Sequence, residues 1–172
     1  MKVLVTAFKP FNNLENNYSM EVLNYITDVD KVVIDVCYDY SYQELVSKFD
    51  LKLYDLIIAL GEARMRNILT LETQAKNISS CSLKDNMNQL KKDEVIIEGN
   101  DEILYTKVKI EKVSKIVQLS NDAGKFVCNN LYYHLLNNHP DKAIFIHIPN
   151  CNNDIEMYKK CAKEINEIIS RL

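Results

Sequence analysis

Four short, almost uninterrupted apolar runs constrain this chain most strongly: Lys2–Thr6, Lys31–Cys37, Asp55–Leu60 and Ala143–Ile148, all rich in β-branched residues. A strand with one wet face alternates polar and apolar residues. A nearly continuous apolar run fits a strand buried on both faces, at the centre of a sheet covered on each side. Between the runs lie stretches with helical spacing, about Ser19–Thr27, Tyr42–Phe49 and Gly124–Asn137, where Val127, Leu131 and Leu135 recur every four residues. This alternation predicts a layered α/β fold. The stripe Ile155, Tyr158, Cys161, Ile165, Ile168 and Leu172 predicts a C-terminal helix packed on the sheet, with Asn152 and Asn153 as capping candidates.

With 172 residues and 47% apolar content the chain can bury one core without metals or disulfides, so a single domain over 1–172 is expected. A net charge of −3 and a pI near 5.7 give no concentrated basic surface for nucleic acid. The pairs Lys91-Lys92 and Lys159-Lys160 read as solvated faces. The opening MKVLVTAFKPF is too short an apolar run for a secretion signal, and no later stretch reaches membrane-spanning length. A cytoplasmic address with no membrane partner is therefore expected. Five cysteines without a C-x-x-C spacing suggest reduced thiols, with neither a disulfide framework nor a zinc site. The chain lacks both phosphate-binding glycine motifs, G-x-G-x-x-G and G-x-x-x-x-G-K-[ST], which argues against a nucleotide cofactor.

The segment Ile68–Lys76 reads as one more strand, with Thr70, Glu72 and Gln74 on one side and Leu69, Leu71 and Thr73 on the other. From Ser79 to Gly99 the composition turns polar, predicting a long loop of the kind that covers sites.

Three residues carry chemical interest. Cys128 follows the polar, glycine-containing turn Ser120–Phe126 at the start of a predicted helix. The free N–H groups and positive dipole end of a helix favour thiolate over thiol, so a lowered pKa is expected. A small buried structural cysteine is the competing reading. His147 lies at the carboxyl end of an apolar strand, where open α/β sheets present ligand-binding side chains. A buried imidazole needs partners for its ring nitrogens, which a thiol and a carboxylate would supply, although a hydrogen-bonded core histidine fits the same position. Glu72 is an acid placed among partly apolar neighbours.

Taken in order, Thr6–Phe11, Gly61–Arg66 running through Leu69–Glu72 to Asn77, Asn121–Asn129 and Phe145–Pro149 resemble pyroglutamyl peptidase I, the pyrrolidone-carboxylate peptidase family. The resemblance implies a three-layer α/β/α sandwich around a mixed, mostly parallel sheet. It also implies a cysteine omega peptidase that removes N-terminal pyroglutamate from peptides, with Cys128 as nucleophile, His147 as general base and acid, and Glu72 orienting the imidazole. By the same resemblance Phe8, Phe11 and Phe126 are pocket walls, and the main chain at Glu62 and Val127 reads the lactam. No metal or other cofactor is implied. The chain departs from the family pattern in several places. Asn12 and Asn13 stand where the family has glycines, and Asn tolerates left-handed geometry. Thr73 follows the glutamate in place of a basic residue, and Ser82 occupies an arginine position. Shortened segments after Thr106 and after Pro149 leave a homo-oligomer open. Together these departures keep a second reading in view, a divergent relative that binds a lactam-like ligand or peptide with little hydrolysis.

Overall fold

The computed structural model describes residues 1–172. Its main sheet has six strands in the order β2 (Asp30–Ile34), β1 (Val3–Phe8), β3 (Leu56–Glu62), β8 (Ala143–Ile148), β4 (Thr70–Glu72) and β7 (Gln118–Ser120). The first four run parallel; β4 is antiparallel to β8, and β7 runs parallel to β4. The sheet is therefore mixed and mostly parallel. β1, β3 and β8 are the apolar runs, and their side chains are buried on both faces, apart from Glu62 at the end of β3.

Helices cover each face. On one side α1 (Tyr18–Leu23) and α4 (Ile155–Arg171) pack against Val3, Val5, Leu56, Ile58, Leu60, Ile144 and Ile146. On the other, α2 (Tyr40–Lys48) and α3 (Val127–Asn138) pack against Leu4, Phe8, Ile34, Ile57, Ala59 and Phe145. Alternation along each strand divides the residues between these two clusters, and each fully buried aliphatic side chain contributes about 1.5–3 kcal/mol. The fold is the expected single-domain α/β/α sandwich.

Four local expectations change. The segment Ile68–Lys76 is not one strand: it breaks at Thr73 into β4 and into β5 (Gln74–Lys76), which pairs with β6 (Ile103–Tyr105) in a separate two-stranded sheet. The second apolar run leaves the sheet at Ile34, and Val36 and Cys37 are buried in the following loop instead. α3 begins at Val127 rather than Gly124, because Gly124 has φ +78 and belongs to the turn. Finally, Asp154 caps α4 by accepting from the Glu156 N–H at 2.9 Å, whereas Asn152 and Asn153 adopt φ 51 and 57 in the preceding turn. Asn12 and Asn13 do take the left-handed conformation, with φ 54 and 57.

Candidate active site

The site forms at the carboxyl ends of β3 and β8 on the α3 side of the sheet. In the antiparallel pairing of β4 with β8, Thr70 lies opposite His147 and Glu72 opposite Phe145, so all four side chains share one face. Glu72 and His147 are diagonal neighbours, within reach of long side chains. Glu72 Oε1 lies 2.7 Å from His147 Nδ1, with the glutamate fully buried and the histidine 5% exposed. The parallel pairing of β3 with β8 places Gly61 beside His147.

Cys128 occupies the first turn of α3, as expected, and is partly exposed. Its sulfur fills the space over Gly61: a β-carbon added there would sit 2.8 Å from Sγ and 2.7 Å from the Phe145 ring. Only glycine permits this approach. The sulfur thus lies over the residue that is in register with His147, with no hydrogen bond joining the Cys128 and His147 side chains. Phe126, the N-cap, makes no side-chain capping hydrogen bond, which leaves the first N–H groups of α3 without a side-chain acceptor.

The residues after the cysteine fix its position. Asn129 Nδ2 donates to the carbonyls of Lys76 at 2.8 Å and Ile78 at 3.0 Å, and its Oδ1 accepts from the Lys76 N–H at 2.8 Å. Asn130 accepts from the Asp39 N–H at 2.9 Å and donates to the Asp39 carboxylate. One turn on, the Tyr132 hydroxyl donates to the Glu72 carbonyl at 2.8 Å, tying α3 to β4. Both asparagines are fully buried, and two consecutive polar residues on a predicted amphipathic helix were the available sequence signal.

Arg66 is a further member. Its guanidinium contacts Glu72 Oε1 at 2.5 Å, the Thr70 hydroxyl, and the Asp122 carbonyl at 2.7 Å. Sequence reasoning gave it no role, because nothing in the spacing shows that the turn after β3 folds back onto β4.

The electrostatics correct the expectation for the thiol. Burial, reinforced by the carboxylates of Glu72 and Glu62, pushes Cys128 up to about 12, against a smaller opposing effect of Arg66. Burial holds His147 below its ordinary value, and its bond to Glu72 offsets this only in part. For Glu72, burial raises the pKa, but the bond to His147 and the charge of Arg66 outweigh it, so the carboxyl ionises more readily than usual. The resting arrangement is therefore a thiol, a neutral imidazole and a carboxylate. The helix terminus does not by itself produce a thiolate here.

The pocket candidates separate into two groups. Phe8, Phe11, Phe126 and Val127 lie in or against the same apolar cluster as Cys128. Phe11 and Phe126 have ring centroids 5.6 Å apart, and Tyr38 meets Phe126 edge-on at 5.5 Å. Beside Phe11 a cleft of about 620 Å³ runs between Asn12, Asn13 and the segment containing Ser82 and Lys84. The Glu62 side chain serves another purpose: it accepts from the Tyr18 N–H at 2.7 Å and pairs with Arg64 at 2.6 Å, anchoring α1. Only its main chain remains for a ligand. No group of three or more His, Cys, Asp or Glu side chains is arranged to hold a metal ion.

Fold and site together define an α/β/α protein whose cysteine, histidine and glutamate gather at the ends of its central strands. The family profile described as pyroglutamyl peptidase matches residues 1–163, and the chain belongs to that family. The pyrrolidone-carboxylate peptidase of Brachyspira hyodysenteriae is 32% identical over 167 residues, covering 87% of this chain and 83% of the relative. That of a Thermoanaerobacter species is likewise 32% identical, covering 87% and 82%. Among solved structures, pyroglutamyl peptidase I of Bacillus amyloliquefaciens superposes with a TM-score of 0.84 at 26% identity, covering 97% of this chain and 95% of that one. Pyrrolidone carboxyl peptidase from Thermus thermophilus gives 0.87 at 24% identity, covering 99% and 100%, and attests the shared fold.

Proposed function

We propose that this chain is a cysteine peptidase that hydrolyses N-terminal pyroglutamate from peptides through Cys128, His147 and Glu72. The observation that carries the reading is the convergence at Gly61, with the Cys128 sulfur above it, His147 beside it in register, and Glu72 bound to the far side of the imidazole.

In this mechanism Glu72 accepts the Nδ1–H of His147, which leaves Nε2 as a proton acceptor. Because the thiol and imidazole are both neutral at rest, Nε2 removes the Cys128 proton as sulfur attacks the pyroglutamyl carbonyl carbon. The developing oxyanion takes up the free N–H groups at the start of α3. Imidazolium then protonates the departing amine, and water, activated by the same nitrogen, releases pyroglutamate from the thioester. Phe8, Phe11 and Phe126 wall the lactam, while the main chain at Glu62 and Val127 addresses its polar atoms. Arg66 holds Glu72 ionised and oriented.

Five free cysteines suit a reducing, cytoplasmic compartment, and no helix is long and apolar enough to cross a membrane. The partners in this reading are N-terminally pyroglutamylated peptides. Incubating the protein with pyroglutamyl and prolyl arylamides under reducing conditions tests it. Release from the pyroglutamyl compound alone is expected, and silence toward every pyroglutamyl amide contradicts it.

The thiol raised to about 12 favours one alternative, a protein that binds the pyroglutamyl end and turns it over poorly. Saturable binding of a pyroglutamyl peptide that survives intact selects that alternative.

A further inference from the structure

Tyr38 is 1% exposed, yet its hydroxyl oxygen is buried with no hydrogen-bond partner. A buried hydroxyl without a partner is unfavourable, and native proteins rarely leave one unless something else completes it. The rest of the residue is firmly held. Its N–H donates to Asp85 Oδ2 at 3.0 Å, its ring meets Phe126 edge-on at 5.5 Å, and Lys91 Nζ lies 5.6 Å from the ring centre. Asp39, the next residue, is fixed by Asn130, two positions after Cys128.

Tyr38, Phe126 and Phe11 form a continuous aromatic contact beside Cys128. Burial, followed by the nearby acids Cys81, Asp85, Glu94 and Cys128, raises the phenol's pKa, so it stays a donor throughout the working pH range. Four of the five pocket candidates supply only apolar surface or main chain, and the Glu62 carboxylate is engaged by α1 and Arg64. Tyr38 is thus the one side chain in this contact with an unused donor.

We infer that the Tyr38 hydroxyl recognises the substrate by donating a hydrogen bond to the ring carbonyl of the pyroglutamyl group, making it a specificity residue of the apolar pocket. The inference rests on the proposed pyroglutamyl site. A donor buried among rings stays unpaired when a ring lacking the carbonyl enters, so it discriminates against carbocyclic and prolyl ends that match the lactam in shape.

The test measures binding of pyroglutamyl-alanine amide by calorimetry to Cys128→Ala and to Cys128→Ala/Tyr38→Phe, with the cyclopentanecarbonyl analogue as control. Tyr38→Phe is expected to weaken the pyroglutamyl ligand about three- to tenfold, the range of one neutral hydrogen bond, and to leave the carbocyclic analogue unchanged. Because the hydroxyl has no partner in the free protein, Tyr38→Phe should also unfold at the same or a higher temperature. Equal affinity of both proteins for pyroglutamyl-alanine amide overturns the inference while the pocket stands. A drop in unfolding temperature overturns it too, by revealing a protein partner for the hydroxyl. Failure of the ligand to bind either protein overturns the pocket assignment, and the role of Tyr38 with it.

Discussion

Glu72 and His147 sit two residues out of direct register on antiparallel strands, and this diagonal offset lets Oε1 reach Nδ1 at 2.7 Å. The position directly opposite His147 belongs to Thr70, whose hydroxyl is bound by Arg66, the same arginine that pairs with Glu72. The imidazole is therefore oriented by an acid that is itself held by a cation.

Glu72→Gln should lower kcat about 10³- to 10⁴-fold, because the amide no longer enforces the tautomer or stabilises imidazolium. KM should change little, since the Glu72 side chain is engaged by His147 and Arg66 and is not one of the lactam walls. Steady-state kinetics on a pyroglutamyl arylamide check this, and a loss smaller than tenfold contradicts the role.

The pH profile follows from the neutral resting pair. His147 titrates below its ordinary 6.5, so kcat/KM should fall only as pH drops through that lower value and the imidazole loses its ability to accept a proton. Cys128, raised to about 12, should add no inflection where ordinary thiols titrate, at about 8.5. Thiolate ultraviolet absorbance, compared between wild type and Cys128→Ala, should show no Cys128 thiolate at neutral pH. A clear thiolate signal there contradicts the neutral pair.

Gly61→Ala places a carbon 2.7 Å from the Phe145 ring and 2.8 Å from the Cys128 sulfur. Buried ring and sulfur must shift, which should reduce stability by about 1–3 kcal/mol and disturb the nucleophile. Denaturant unfolding together with kcat measures both effects. Wild-type values for both are incompatible with the close approach.

Asp39 joins α2 to α3 and to the covering loop through His134 at 3.2 Å, Asn130 at 2.9 Å and Lys91 at 3.0 Å. The bond to His134, with those to Asn130 and Lys91, outweighs burial and depresses its pKa below 3.8. A carboxyl depressed by folding stabilises above the unfolded value, and that contribution is lost as pH falls through the folded one. Asp39 is partly exposed, so Asp39→Asn should be less stable than wild type by about 1 kcal/mol at pH 7. The difference should fade in strong acid. A difference constant from neutral pH to strong acid contradicts the ionic origin.

The parallel half of the sheet was legible because β1, β3 and β8 are buried on both faces and so are written as continuous apolar runs. The other half was not. In the main sheet β7, Gln118-Leu119-Ser120, is three residues long and mostly exposed, and in the separate two-stranded sheet β6 is three residues long and mostly half-buried, so too little apolar surface is buried in either to leave a pattern. Leu71 and Ala75 both point inward, but the change of sheet at Thr73 depends on long-range pairing with β8 and β6. The identities Glu72, Cys128 and His147 came from motif context; the pairing of Glu72 with His147 follows from strand register, whereas Cys128 reaches the space over Gly61 from α3. The direction of the thiol shift was misjudged for a definite reason: the helix start is a local feature, whereas the burial that chiefly raises the thiol, and the carboxylates of Glu72 and Glu62 that add to it, come from tertiary packing. Arg66 and Tyr38 escaped notice because one depends on a turn folding back and the other on a hydroxyl left without a partner.

The most direct test follows a pyroglutamyl arylamide with wild type and Cys128→Ala under reducing conditions, together with intact-mass analysis of the quenched wild-type reaction. Acyl transfer through Cys128 predicts turnover by wild type, none by a folded Cys128→Ala protein, and a pyroglutamyl adduct that maps to Cys128. Undiminished turnover by Cys128→Ala, or an adduct on another residue, contradicts it.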